Sequence, residues 1–213
     1  MSKTKNHQSY KTKTGIKCVG VTTVIGMLNK PALMYWAWDL GCKGIDYRKF
    51  ADDKAAQGTL AHEMILCHLS KTDVDTSDYS KNQIDAAENA FLSYLNWEKG
   101  KVIEPFMLED QMVHEELHYG GTFDFFGKVD GVLTLIDFKT GKAIYNEMAI
   151  QLSAYSKLIS QSDVGVPEKW SILRIGRDES EGFEVKEYGS EYINNCWEIF
   201  NHLLQVYWLN KNL

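Results

Sequence analysis

The order of hydrophobic patterns along this chain predicts an α/β domain, in which a mixed central β-sheet is flanked by helices. Helical patterns come first, β-forming residues follow over 101–139, and helix, strand, strand and helix patterns complete the chain. The 213 residues are 44% hydrophobic and 24% charged, which is enough chain for one core and is typical of globular proteins. We therefore expect one domain over 18–213, preceded by a flexible, lysine-rich arm over 1–17.

Six segments have helical patterns. Thr22 or Thr23 is a suitable N-cap for a short helix that ends at Leu28, and Pro31 suits the first turn of the next helix, which runs through the tryptophans at 36 and 38. Apolar residues at helical spacing predict the remaining helices at 51–70, 81–98, 146–161 and 190–211. Alternating β-forming residues predict three or four strands within 101–139 and two further strands at 170–175 and 182–188.

The charge distribution is uneven. The formal net charge is −6, but residues 1–38 contain six lysines and no acidic residue, so the remainder of the chain is strongly acidic. A lysine-rich arm on an acidic body could hold a polyanion near an acidic site. The alternative is a solubilising tail, and this feature taken alone favours the tail.

The cysteine spacing and the short apolar runs argue against a disulfide-rich, zinc-finger-like or membrane-spanning protein. The four cysteines lie far apart without a C-x-x-C motif, so neither a disulfide framework nor a sequence-local zinc site is expected. No apolar run approaches the roughly 20 residues that cross a bilayer. The N-terminus lacks the apolar core of a secretory signal. We therefore expect a cytoplasmic protein with no membrane partner.

Segment 120–140 predicts a β-hairpin. Asp130-Gly131 separates two β-forming runs, which is typical of a two-residue turn. With this turn, the register places Asp124 directly opposite Asp137, and Lys139 shares their face because it lies two residues further along the strand. The opposite face is predicted to be a continuous apolar surface, formed by Phe123, Phe125, Val129, Val132, Ile136 and Phe138.

Two facing carboxylates repel each other unless a positive charge lies between them, and two interpretations follow. In the first, Lys139 neutralises Asp124 and Asp137 as a structural ion pair within an ordinary α/β domain. In the second, the carboxylates bind Mg²⁺ or Mn²⁺, which prefer oxygen ligands and retained waters. Lys139 would then orient or activate a water molecule. Geometry alone favours neither interpretation.

Four short motifs occur in order along the chain: Gly58-x-x-x-His62, Gly121-x-x-Asp124, Asp137-x-Lys139-Thr140 and Gln151-x-x-x-Tyr155. Their order and their placement on helix, hairpin and helix resemble the RecB-like branch of the PD-(D/E)xK nuclease superfamily. The block Val21–Ile25 with Pro31 and Trp36 is similar to the start of this family. The resemblance covers roughly residues 20–175, and the layout is similar to that of small single-domain exonucleases, phage-type relatives among them.

The resemblance implies a restriction-endonuclease-like core of order αβββαβ, with extra N-terminal helices and a C-terminal helix. It also implies a role for each motif residue. Lys139 would position or polarise the attacking water, and Gln151 and Tyr155 would orient Lys139 or hold the substrate phosphate. The implied metal ligands are His62, Asp124, Asp137 and the backbone carbonyl of Phe138.

The implied function is a DNA exonuclease that depends on Mg²⁺ or Mn²⁺ and hydrolyses phosphodiester bonds. DNA would be the partner, and the small-exonuclease layout favours single-stranded ends that arise in replication, recombination or repair. No iron–sulfur cluster is expected, because Cys196 alone lies near the C-terminus. The alternatives are an endonuclease on the same fold and a non-catalytic, nuclease-like domain that binds nucleic acid. The sequence also departs from the superfamily pattern, since no proline precedes Asp124.

Three aromatic residues near the N-terminus have two interpretations. Tyr35, Trp36 and Trp38 could stack on unpaired bases. Clustered tryptophans are more often core residues, so we expect these side chains to be buried.

Overall fold

A mixed seven-stranded sheet with helices on both faces runs through residues 9–213, the part of the chain that the computed structural model describes. The predicted fold class is confirmed. The elements are β1 (Tyr10–Lys11), β2 (Lys17–Gly20), α1 (Val21–Ile25), α2 (Pro31–Cys42), α3 (Tyr47–Ser70), α4 (Lys81–Glu98), β3 (Ile103–His114), β4 (Tyr119–Val129), β5 (Val132–Lys139), α5 (Asn146–Ile159), β6 (Lys169–Ile175), β7 (Phe183–Tyr188) and α6 (Ser190–Lys211). Among these helices, none has both the length and the apolarity needed to span a membrane.

Strand β4 is the centre of the sheet and has a gap along one edge. Strand β3 pairs antiparallel with β4 along one edge, from Tyr119 to Val129. On the other edge, β2 pairs parallel with residues 119–120, and β5 pairs antiparallel from Phe125 onward. No described strand pairs with residues 121–124 on that edge, so β2 and β5 form a fork there. Strands β6 and β7 extend the sheet beyond β5.

The turn between β4 and β5 has the predicted form. Asp130 and Gly131 have φ angles of +52° and +83°, which is typical of a type I′ turn. The observed pairs run from Val129↔Val132 to Phe125 and its partner Ile136, which is the register that the turn predicts.

The two faces of the hairpin differ from the prediction. Phe125 and Ile136 pack in a core with α3 and α4, as expected for an apolar face. Phe126 and Leu135 point to the other side, where they are buried against α5 and α6, and Phe123 joins this second core. The prediction of one continuous apolar face and one polar face is therefore wrong, because helices cover both faces of these central strands.

The described part of the predicted arm contains a short strand. Tyr10 and Lys11 form β1 and pair antiparallel with Cys18 and Lys17 of β2. The Tyr10 ring covers Gly120 of β4, where a Cβ atom would come within 2.6 Å of the ring, so glycine leaves room for the ring to pack. Residues 1–8 of the predicted arm lie outside the described residues.

Local capping explains where the N-terminal helices begin. Helix α1 has Gly20 at its N-cap, so the prediction of a threonine cap is wrong. Pro31 begins α2, as predicted. Helix α3 begins at Tyr47, four residues before its predicted start, because the Asp46 carboxylate accepts hydrogen bonds from two backbone amides of the first turn.

Candidate metal centre and catalytic site

At the fork in the sheet, a side-chain hydrogen bond links β4 to β5 where backbone pairing has ended. The regular pairing of β4 with β5 ends at Phe125↔Ile136, one pair before Asp124 and Asp137. At that point Asp124 Oδ2 accepts a hydrogen bond from the backbone amide of Phe138, at 2.7 Å. The Asp124 side chain therefore fastens β4 to β5 where the ladder stops.

Helix α3 approaches this point closely because residue 58 is glycine. A Cβ atom on Gly58 would lie 2.8 Å from Thr140 Oγ1, just beyond β5. One helical turn further on, His62 Nδ1 lies 3.4 Å from Asp124 Oδ1. The edge of the His62 ring contacts Phe138, with 6.0 Å between ring centroids. The Gly58-x-x-x-His62 motif thus lets α3 bring an imidazole to the hairpin.

A third candidate metal ligand comes from β3. Glu109 lies opposite Asp124, between two regular β3–β4 pairs, and its backbone has a left-handed φ of +48°. Ligand atoms of His62, Glu109 and Asp124 all lie within 4.8 Å of one another. We call these three residues the outer cluster. Asp137 does not belong to it.

Asp137 instead forms a buried ion pair with Lys139. The Lys139 Nζ atom lies 2.5 Å from Asp137 Oδ2, and the two side chains are 22% and 3% exposed. No described residue donates a well-aligned hydrogen bond to Asp137 Oδ2, so the ammonium group compensates its burial mainly through charge. We call these two residues the inner pair.

Helix α5 carries the fourth motif near Asp137. Gln151 Nε2 donates a hydrogen bond to the Tyr155 hydroxyl at 2.7 Å. The Tyr155 ring packs over Gly121, where a Cβ atom would lie 2.5 Å from the ring. Burial raises the pKa of Tyr155 well above its usual value, and the Asp137 carboxylate contributes to this rise. Tyr155 therefore stays protonated and keeps its own hydroxyl hydrogen for donation.

Within the outer cluster, Asp124 and His62 stabilise each other's charged forms. Burial would raise the pKa of Asp124, but the His62 imidazole, Lys139 and the Phe138 amide outweigh burial and lower it. Burial would lower the pKa of His62, but the Asp124 carboxylate outweighs burial and raises it. A proton on His62 is therefore favoured when nothing else neutralises Asp124.

Asp137 of the inner pair is harder to ionise than Asp124 of the outer cluster. Burial raises the pKa of Asp137 to about 6, although Lys139 acts in the opposite direction. Burial would lower the pKa of Lys139, but Asp137 and then Asp124 outweigh burial and raise it. Lys139 thus carries the positive charge beside Asp137 near neutral pH.

These residues fit a divalent cation. Carboxylate oxygens suit Mg²⁺ and Mn²⁺, and the His62 nitrogen is a donor that first-row transition metals accept readily. The buried Asp137 carboxylate, held by Lys139, is a further oxygen donor near Asp124. The structure therefore brings the predicted residues together as pairs: His62 with Asp124, Asp137 with Lys139, and Gln151 with Tyr155.

Glu109 was not predicted from the sequence. Its position depends on the β3–β4 register, which a loop over 115–118 sets between His114 and Tyr119. That loop has the sequence Glu-Glu-Leu-His and contains none of the Gly, Pro, Asn or Asp residues that predict a turn. An acidic residue at a left-handed backbone position in a strand is visible only in the structure.

Comparisons with known proteins yield structural similarities only. No family model matches the sequence, and no curated protein matches it. A candidate exonuclease from Eubacterium rectale has a TM-score of 0.43 at 11% identity, over 92% of this chain and 76% of that chain. LHK-Exo in complex with dAMP also gives 0.43 at 11% identity, over 92% of each chain. The alkaline exonuclease LHK-Exo from Laribacter hongkongensis gives 0.40 at 11% identity, over 92% of each chain. At these TM-scores the similarities carry no argument about function.

Proposed function

We propose that this chain is a nuclease that depends on a divalent metal, hydrolyses phosphodiester bonds in DNA and acts as an exonuclease on single-stranded ends. The observation that carries the proposal is the juxtaposition of the outer cluster with the inner pair. A His, Glu and Asp cluster with ligand atoms within 4.8 Å of one another suits a cation. A half-buried lysine near that cluster suits a reaction in which negative charge develops on a phosphate.

His62, Glu109 and Asp124 would hold Mg²⁺ or Mn²⁺, and Asp137 with the Phe138 carbonyl would complete the ligand set. A cation bound there would polarise the scissile phosphate and favour a nucleophilic water. The His62 proton would leave, because a ligand imidazole is neutral. Asp124 would then exchange its histidine partner for a stronger positive charge.

Lys139 has the central role among the groups that act on the substrate. Its ammonium group is held by Asp137, so a cation that also attracts Asp137 would weaken this ion pair. Lys139 Nζ would then be available to orient the attacking water or to stabilise charge on the phosphate. Tyr155 accepts from Gln151 and retains a hydroxyl hydrogen, which can be donated to a phosphate oxygen.

The acidic character of the protein is consistent with a polyanionic substrate only when the site holds cations. The formal net charge of −6 opposes DNA binding over most of the body. A bound divalent ion reverses the local charge where the phosphate must approach. We therefore expect DNA binding and cleavage to depend on the same cation.

A time course on end-labelled linear DNA, single-stranded and double-stranded, tests the proposal. Reactions contain Mg²⁺, Mn²⁺ or a chelator, and covalently closed circular DNA serves as a substrate without ends. The proposal predicts metal-dependent shortening of linear single strands from an end and no attack on closed circles. Cleavage of circles would instead indicate an endonuclease, and no cleavage of any substrate with either metal would overturn the proposal.

A further inference from the structure

Helix α2 has an aromatic face that is exposed among the described residues, 9–213. Met34, Tyr35 and Trp38 have relative exposures of 66%, 68% and 69%. The expectation that these aromatic residues are core residues is therefore wrong for Tyr35 and Trp38. Isolated exposed apolar residues are ordinary, but two large aromatic side chains on one helix face indicate an interaction site.

The helix is anchored by its other side. Leu40 is buried, and the Trp36 ring contacts Phe50 of α3 with 6.0 Å between ring centroids. At about 100° per residue, positions 34, 35 and 38 fall within one arc of α2, opposite Leu40. Leu33 lies near Leu40 around the helix and is still 57% exposed, so α2 packs on the body only from Trp36 onward.

We propose, on the basis of the nuclease function above, that Tyr35 and Trp38 stack on unpaired bases of single-stranded DNA that enters the site. Flat rings bind bases of any sequence, because every base has a π-face. The four charged residues from Ser9 to Trp38 are lysines, and the one charged residue within α2, Asp39, is paired with Lys43 at 2.6 Å, so its charge is offset. An aliphatic surface would lack this preference for bases, whereas α2 offers a tyrosine and a tryptophan one helical turn apart.

The aromatic face is linked to the active site through one ion pair. Lys30, at the N-cap of α2, lies 3.2 Å from Glu147 in the first turn of α5. Gln151 is one helical turn beyond Glu147, and Trp38 lies about 12 Å from Lys30 along α2. The start of α2 therefore lies beside the start of the helix that carries Gln151.

Stacking on α2 would also select the form of the substrate. Bases in a duplex are already stacked and paired, so their faces are not available to Tyr35 and Trp38. Only unpaired bases can use the aromatic face without first being separated. The fold thereby supplies a physical basis for preferring single strands over duplex DNA.

The test compares the double variant Tyr35→Ala/Trp38→Ala with the wild-type protein in binding a fluorescein-labelled single-stranded oligodeoxynucleotide by anisotropy. Ca²⁺ is present as the oxygen-seeking cation, with the oligonucleotide made as a phosphorothioate to limit cleavage. We expect affinity to fall at least about tenfold, equivalent to about 1.4 kcal/mol. The variant Val206→Ala/Leu209→Ala removes exposed apolar area from α6 and serves as the matched control, with unchanged affinity expected.

A second oligonucleotide, which carries abasic sites along its length, separates stacking from charge. We expect it to bind the wild-type protein and the double variant equally, whereas Tyr35→Phe/Trp38→Phe should keep most of the affinity for the normal strand. Equal affinity of wild-type protein and double variant for the normal strand would overturn the inference. A change of oligomeric state in the double variant, without loss of affinity, would also overturn it and assign the face to a second copy of the chain.

Failure of this inference can be distinguished from failure of the nuclease proposal. If the wild-type protein cleaves single strands and the double variant binds and cleaves them equally well, only the stacking inference fails. If binding falls in the double variant but the wild-type protein cleaves nothing with Mn²⁺, the stacking inference stands and the nuclease proposal fails.

Discussion

The outer cluster and the inner pair lie side by side, but a different kind of group offsets the carboxylate charge in each. In the outer cluster, two carboxylates share a partly exposed site with an imidazole that can release its proton. In the inner pair, a carboxylate that is 3% exposed is balanced by a permanently charged ammonium group. The outer cluster can therefore exchange a proton for a cation, whereas the inner pair keeps its own positive charge.

This difference suggests a division of labour. The outer cluster sets two carboxylates against one imidazole, so net negative charge is left to attract a cation, and the imidazole can release its proton when a metal binds. A site that is neutralised by a lysine holds that lysine in place when no metal or substrate is present. Variants that change only the outer cluster or only the inner pair separate the two roles.

Removing the ammonium group of the inner pair should have the largest effect on cleavage. We expect Lys139→Ala to lower the cleavage rate at least about 100-fold, because the group that orients water or stabilises phosphate charge is lost. Rates are measured on end-labelled single strands in Mn²⁺. Lys128→Ala, at the far end of the same hairpin, is the control, and a wild-type rate for Lys139→Ala would remove Lys139 from the mechanism.

Removing the imidazole of the outer cluster should weaken metal binding. We expect His62→Ala to raise the Mn²⁺ concentration for half-maximal cleavage by on the order of 10- to 100-fold, because Asp124 loses a co-ligand. His68→Ala on the same helix removes an imidazole that pairs with Glu98 at 2.8 Å and should leave the Mn²⁺ requirement unchanged. Equal shifts in both variants would show a general effect of α3.

A larger side chain between α3 and the end of β5 should destabilise the fold through packing. Gly58→Ala places a Cβ atom 2.8 Å from Thr140 Oγ1, and we expect it to cost about 1–3 kcal/mol of unfolding free energy in a urea titration. Gly58→Ala/Thr140→Ala removes the clashing oxygen and should recover most of that loss. Gly41→Ala on α2, with nothing within 4 Å of its Cβ, is the helical-glycine control and should not destabilise the protein.

Parts of this organisation could be predicted from sequence because local signals specify them. The Asp130-Gly131 turn fixes its own register, whereas the approach of His62 to the hairpin is implied only by the resemblance to a nuclease family. The position of Glu109 could not be predicted, because an unremarkable loop sets the β3–β4 register. The exposure of Tyr35 and Trp38 could not be predicted either, since composition does not indicate which side of α2 meets the body.

The pH dependence should be the smallest effect, and its direction follows from two raised pKa values. A raised pKa in the folded state contributes stability below the unfolded pKa, and this contribution is lost as pH rises through the folded pKa. The stability that Asp137 contributes is lost as pH rises from 3.8 to about 6. The stability that His62 contributes is lost at pH values above 6.5. The Asp124 pKa is lowered, so its contribution is lost only as pH falls below 3.8.

We therefore expect these two groups to lower the melting temperature of the metal-free protein as pH rises from about 5 to about 8. The stabilisation by Mn²⁺ should increase over the same range, because metal and protons compete for the same ligands. Thermal melts with Mn²⁺ or chelator measure both trends. The His62→Gln variant should show a flatter dependence, and an unchanged dependence would exclude His62 as the titrating group.

The most direct test of the central claim is a titration of Mn²⁺ into wild-type protein and Glu109→Gln, followed by electron paramagnetic resonance of free Mn²⁺. Asp110→Asn, one residue along the same strand, is the matched control. Binding by the wild-type protein and the control, with affinity at least about tenfold weaker in Glu109→Gln, is the predicted result. Equal binding in all three proteins, or no binding in any, would contradict the assignment of this fork in the sheet as a metal centre.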